Sequence, residues 1–234
     1  MKRNSNIDGF KRRAMSSSQL PHPIPQHEIE PGLLMFNAII RPETGKNSVK
    51  WLRRNLRLPG RITSLPMPHE AKMMIHISET DAAKLVRVYG RNGCTAQALC
   101  LNIVDPEDVT KSLGIIRVKT QEVKMNAATM RLQNMDFMYC PMDRIVNVDV
   151  PLKLINDELA PGVKKGGWIS VLHRTVRYQA LGGSIPPFIE VDCRKLELGQ
   201  SILVRQLPVP KGSRIPQQNY DAPVATCTTD VGKD

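Results

Sequence analysis

A mainly β protein with a few helices, an N-terminal β-barrel followed by a C-terminal antiparallel β domain, is what three features of this 234-residue chain predict. The first is residues 116–137 (IRVKTQEVKMNAATMRLQNMDF), which read as two strands and a turn. Ile116, Val118 and Thr120 alternate there with Arg117, Lys119 and Gln121, the period of a strand with one face on a core and the other toward a polar partner. The second is residues 145–155, where Val146, Val148, Val150, Leu152 and Leu154 share one face and Asn147, Asp149 and Lys153 the other. The third is charge: residues 1–135 hold 21 basic and 11 acidic side chains, residues 136–234 hold 12 and 11. A basic half beside a neutral half implies a polyanion-binding module joined to a module with another task.

Residues 1–34 read as a basic extended arm. They carry Lys2, Arg3, Lys11, Arg12, Arg13 and Ser16 to Ser18, then Pro21, Pro23, Pro25 and Pro31, with no apolar period that would let them fold alone. Such an arm is expected to order on RNA; its Arg and Ser content and few acids also suit an organellar transit peptide. Residues 35–140 are assigned to the barrel, 141–228 to the second domain and 229–234 to a tail.

Within the barrel, residues 36–41 predict a strand and 42–45 a turn. Residues 47–58 predict a helix with Val49, Leu52 and Leu56 on one stripe and Lys50, Arg53, Arg54 and Arg57 on another. Four cations on one face repel one another, and a polyanion relieves that; Lys46 and Arg61 flank the patch and few acids interleave. Residues 72–77 predict a strand. Ser78-Glu79-Thr80-Asp81 resembles a capping box for a helix that Gly90 ends. Residues 96–104 read as a strand and 105–111 as a loop. In the central hairpin, Asn126 to Thr129 supply the turn, and alternation sets Asn134 and Asp136 on one face.

In the second half, Pro151 marks residues 145–155 as an edge strand or a bulge. A glycine-rich loop containing Gly162, Gly166 and Gly167 precedes a strand over 168–180, and residues 188–192 and 201–206 read as two more short strands.

No catalytic centre emerges, and no enzyme activity, cofactor, metal or small-molecule substrate is expected. Gly45-Lys46-Asn47-Ser48 resembles a P-loop but has Ile40 where the leading glycine belongs. The five cysteines form no CxxC pair and the five histidines show no ligand spacing. No apolar run reaches the length of a membrane span, so no membrane partner is expected.

Several segments in order (NAIIRPETGKNSVKWLRRNLRLPGRI, the central hairpin, VDVPLKLINDELAPGVKKGG, IEVDCRKLELGQSI, QLPVPKGSR and APVATC) resemble the 5S rRNA-binding ribosomal protein family of the large subunit. The likeness is to its two-domain form, which joins a 5S-binding barrel to the domain of the general stress protein called CTC, and it covers residues 35–228. The resemblance implies a structural, non-catalytic protein that grips the loop E region of 5S rRNA. On it, Arg41, Lys46, Lys50 and Arg53 would neutralise phosphates; Arg54, Arg57 and Arg61 of the basic patch and Lys124 of the hairpin are further rRNA-binding candidates. Gln121, Asn134 and Asp136 would read base edges and hydroxyls, Asp136 as an acceptor for guanine or cytosine amino groups. Large-subunit rRNA and neighbouring ribosomal proteins are the further partners implied. The barrel is also similar to the anticodon-binding domain of glutaminyl-tRNA synthetase, so tRNA binding is one alternative; a stress or protein-interaction role for the neutral half is the other.

Three positions depart from the family pattern: Arg61-Ile62-Thr63 where a contacting aromatic is common, Trp51 where a further arginine is usual, and Asn134 where histidine is frequent. These departures and the arm suggest an organellar, most simply mitochondrial, ribosome, with chloroplast or bacterial cytoplasm as alternatives.

Overall fold

A computed structural model describes Ile24 and residues 26–28, 32–41, 45–65, 72–108, 110–217 and 220–229. Most of the arm, the 42–44 turn and the end of the tail lie outside the described residues.

Six strands close a barrel. In chain order they are β1 (Met35–Ile40), β2 (Arg57–Thr63), β3 (Met73–Ser78), β4 (Ala98–Val104), β5 (Ser112–Met125) and β6 (Leu132–Tyr139), arranged around it as β1-β3-β2-β6-β5-β4. β1 and β2 both run antiparallel to β3, so the helix between them, α1 (Lys46–Arg54), is the crossover of a parallel pair. β4 closes on β1 in parallel, as β2 does on β6. Strand alternation turns Ile62, Ile75, Ile77, Leu99, Leu101, Ile116, Val118, Met135 and Phe137 into one core, to which α2 (Glu79–Gly93) adds Ala82 and Leu85. Each of these side chains other than Ala82 contributes roughly 1.5–3 kcal/mol of burial free energy.

The basic helix is shorter than its periodicity predicts. It ends at Arg54, and Leu56, with φ 55°, reverses the chain into β2. Of the expected stripe only Leu52 is buried, while Leu56 is exposed. Leu58 and Ile62 happen to continue an apolar spacing because β2 has its own inward face, so Arg57 and Arg61 belong to a strand. Gly60 lets β2 approach β6: a Cβ there would run into the Met135 carbonyl oxygen. At the start of α2 the Ser78 hydroxyl bonds the Thr80 hydroxyl at 2.6 Å and makes no side-chain cap, so the capping box does not form. Gly90, with φ 70°, breaks α2 where the sequence places its end.

The remaining strands build two further sheets. β7 (Ile145–Ile155), β9 (Thr175–Leu181), β10 (Ile189–Asp192) and β12 (Ser213–Arg214) form the order β10-β7-β9-β12, and β8 (Trp168–Val171), β11 (Ser201–Leu203) and β13 (Pro223–Thr228) form β11-β13-β8. Pairing is antiparallel except for β10 on β7. Val146, Val148 and Val150 of β7 meet Val176, Tyr178, Ile189, Val191 and Val224 in a second core. Pro151 sits in a central strand, not an edge. β9 pairs with β7 only as far as Pro151, and β10 begins only at Leu152, so no ladder bond requires the missing proline N–H. The single strand expected over 168–180 is two, β8 and β9, in different sheets. The glycine-rich loop holds a short helix, α3 (Pro161–Lys164), with Gly162 packed against Cys227 and Leu198. The expected 201–206 strand is β11 followed by a 3-10 turn over Val204–Gln206.

The outward residues of early β5 are covered by the second domain. Arg117 and Lys119, expected to face a polar partner, are each only 4% exposed. Burial lowers the Lys119 pKa, with Cys140, Asp149 and Arg177 nearby. The Thr95 hydroxyl donates to the Asp149 carbonyl at 2.8 Å, and Arg144 Nη1 to the Ser64 carbonyl at 2.8 Å, across the same junction.

Candidate nucleic-acid interface

The outer face of β1, β3, β2, β6 and β5 brings most of the predicted residues together. Strand register places Met74, Arg61, Asp136 and Glu122 in one row from β3 to β5, with Arg41 at the β1 end, where its N–H donates to the Met74 carbonyl at 2.9 Å. Asn134 and Lys124 stand opposite each other one step along. α1 follows Arg41 and presents Lys46, Lys50, Arg53 and Arg54 to solvent, with Arg57 exposed at the start of β2. Its first turn contains no acid. Lys46, Lys50, Arg54 and Arg57 take no ion-pair partner among the described residues. Arg53 and Arg54 in the last turn also suit the helix dipole, which attracts cations there.

Other predicted residues are already engaged. Arg53 Nε donates to the Gln133 carbonyl at 3.0 Å, fixing α1 to the start of β6. Lys124 pairs with Glu122 at 3.4 Å, both half-exposed, a contact that solvent screens. Gln121 occupies a bulge where the β5–β6 register shifts, and its Oε1 accepts from the Thr63 hydroxyl at 3.0 Å. Arg41 is half-buried; burial lowers its pKa, and its Nε and Nη1 are enclosed without hydrogen-bond partners among the described residues. His76 Nδ1 is likewise enclosed without a partner among the described residues, and burial, then Arg57 and Arg41, bring the His76 pKa down to about 4.

Asp136 differs most from its expected role. Rather than presenting a free acceptor, its side chain is 5% exposed: Oδ2 accepts from Arg61 Nε at 3.0 Å and Oδ1 from Asn134 Nδ2 at 2.7 Å. A carboxylate taken out of water needs such bonds. Trp51, which stands where a further arginine is usual in the family, is 60% exposed.

The residue that sequence reading missed is Arg131. It bonds Glu79 at 3.2 Å and lines a groove with Arg53, Arg57, Asn126, Thr129 and Gln133, between the hairpin tip and the C-terminal end of α1. The acid-free run from Val123 to Met135, which holds Lys124 and Arg131, is the signal that pointed to it. The arrangement offers exposed donors and cations over a rigid sheet, suited to phosphate and sugar contacts along one face of a nucleic acid.

Comparison with known proteins gives matches in both halves. The family described as Ribosomal protein TL5, C-terminal domain, matches residues 145–230. Along most of the chain there is similarity to proteins named Large ribosomal subunit protein bL25. That of Rhodopseudomonas palustris is 30% identical over 198 residues, covering 84% of this chain and 78% of the relative. Those of Chelativorans sp. (28% over 204 residues, 84% and 87% covered) and Ehrlichia ruminantium (26% over 194 residues, 83% and 86% covered) are similar over comparable spans.

Proposed function

The chain belongs to the bL25 family of large ribosomal subunit proteins, a structural and non-enzymatic constituent of the ribosome with rRNA and ribosomal proteins as partners, and from that membership we propose that its own RNA partner is 5S rRNA. The observation that carries the proposal is the acid-free α1, whose exposed Lys46, Lys50 and Arg54 stand beside Arg57 at the edge of the polar sheet face. The barrel is the module that holds RNA and spans about residues 35–140; the neutral β domain, about 141–228, packs on neighbouring rRNA or protein.

Binding of the full chain to a 5S rRNA fragment containing loop E, beside a tRNA of similar length across a salt series, tests this. Preference for the 5S fragment with a steep salt dependence is expected; equal binding to both RNAs would remove the 5S assignment.

We place the protein in a mitochondrial ribosome. Residues 1–18 carry five basic side chains and four serines against one acid, a composition suited to import. Fusion of residues 1–34 to a fluorescent reporter tests it: mitochondrial accumulation supports the placement, and diffuse fluorescence supports a bacterial-type ribosome instead.

A further inference from the structure

We infer that residues 24–28 are a strap built into the barrel, so that any trimming of the N-terminal arm stops before Ile24 and the mature protein keeps the strap. The trimming rests on the mitochondrial reading; the strap rests on geometry alone. β5 begins at Ser112, but β6 covers one of its edges only from Val118, whose register partner is Tyr139. After Tyr139 the chain leaves for the second domain, and on that side the first residues of β5 lack a strand partner among the described residues. The arm fills the gap. Carbonyls two residues apart on a strand point to the same side. The Cys140 N–H donates to the Arg117 carbonyl at 3.1 Å, and the His27 N–H donates to the Ile115 carbonyl at 2.9 Å, one step further along.

Side chains fix the same segment. Ile24 is 8% exposed and joins the barrel core that includes Tyr139. It lies over Gly114, where a Cβ would come within 3.2 Å of the Ile24 Cγ2. The His27 Nε2 and the Tyr139 hydroxyl are hydrogen-bonded at 2.8 Å, with the two rings tilted and 5.5 Å apart. A bare sheet edge invites pairing with another chain, and a terminal segment is ordered when it is tied down in this way. The sequence divides the arm at the same place. The five Lys and Arg of residues 1–34 are Lys2, Arg3, Lys11, Arg12 and Arg13, whereas residues 14–34 hold none and carry Glu28 and Glu30. The basic part is the one an import receptor reads. The later part was expected to order on RNA, and residues 24–28 order on the barrel instead.

The test uses the full chain and its Ile24→Ala and Tyr139→Phe variants, the second removing only a hydroxyl. Amide hydrogen exchange over residues 24–28 is followed by mass spectrometry, with urea unfolding of each protein. Protection in wild type is expected, with faster exchange in both variants and a urea midpoint for the barrel lowered by roughly 1 M in Ile24→Ala. An unprotected wild-type segment, or an Ile24→Ala midpoint equal to wild type, would overturn the strap. The N-terminal peptide of the protein recovered from ribosomes is then read by mass spectrometry. A terminus at or before Ile24 supports the inference, and one beyond Glu28 overturns it. An intact Met1 terminus retains the strap and counts against the mitochondrial placement, so the two readings fail separately.

Discussion

Arg117 Nη1 donates to the Cys140 carbonyl oxygen at 2.8 Å, binding β5 to the segment by which the chain leaves the barrel. A cation whose alternation placed it on the RNA side thus serves the junction between the two domains. Arg117→Leu strands that buried carbonyl and is expected to cost about 1–3 kcal/mol of stability. Urea unfolding should show the loss, while affinity for RNA per folded molecule stays at the wild-type value.

Gly60→Ala sets a methyl group against the Met135 carbonyl oxygen, a backbone atom that cannot swing aside. Overpacking of this kind costs about 1–3 kcal/mol. Because the next ladder position pairs Arg61 with Asp136, discrimination between the 5S fragment and tRNA should fall together with the urea midpoint.

His76 gives the fold a pH dependence. Its pKa drops from 6.5 to about 4 in the folded chain, through burial first and then Arg57 and Arg41. Between those values the unfolded chain binds the extra proton, so stability falls as pH drops from 6.5 toward 4 and the loss is complete below both. Unfolding free energies of wild type and His76→Gln across this window should diverge, with the variant profile flatter.

Lys50 and Arg54 are exposed, and in the proposed interface their contribution is charge. Replacing either with Ala should reduce the slope of log K against log salt by roughly 0.7–0.9, uniformly across RNA sequences. A slope equal to wild type in both variants would remove α1 from the interface.

Trp51 is 60% exposed, so Trp51→Ala should leave the melting temperature essentially unchanged. If the indole stacks on a base or ribose, the variant loses on the order of 1–3 kcal/mol of RNA affinity. Fluorescence quenching of wild type on RNA binding reports the same contact directly.

The sequence by itself determined the mainly β architecture, the inward set of β7, the basic character of the first half and the break of α2 at Gly90. These are local properties: alternation of period two and the clustering of one charge sign are carried by neighbouring residues and survive any arrangement of the strands. Tertiary structure alone decided that the helix stops at Arg54 with Arg57 and Arg61 in a strand, because the inward set of β2 mimics the continuing apolar stripe of a helix. It also decided that Arg117 and Lys119 are buried, since the domain that covers them is written elsewhere in the chain. Pro151 became central because two strands share β7 end to end. Asp136 found its partner 75 positions away, in Arg61. A period tells which face a side chain points from; only the assembled barrel determines what stands opposite it.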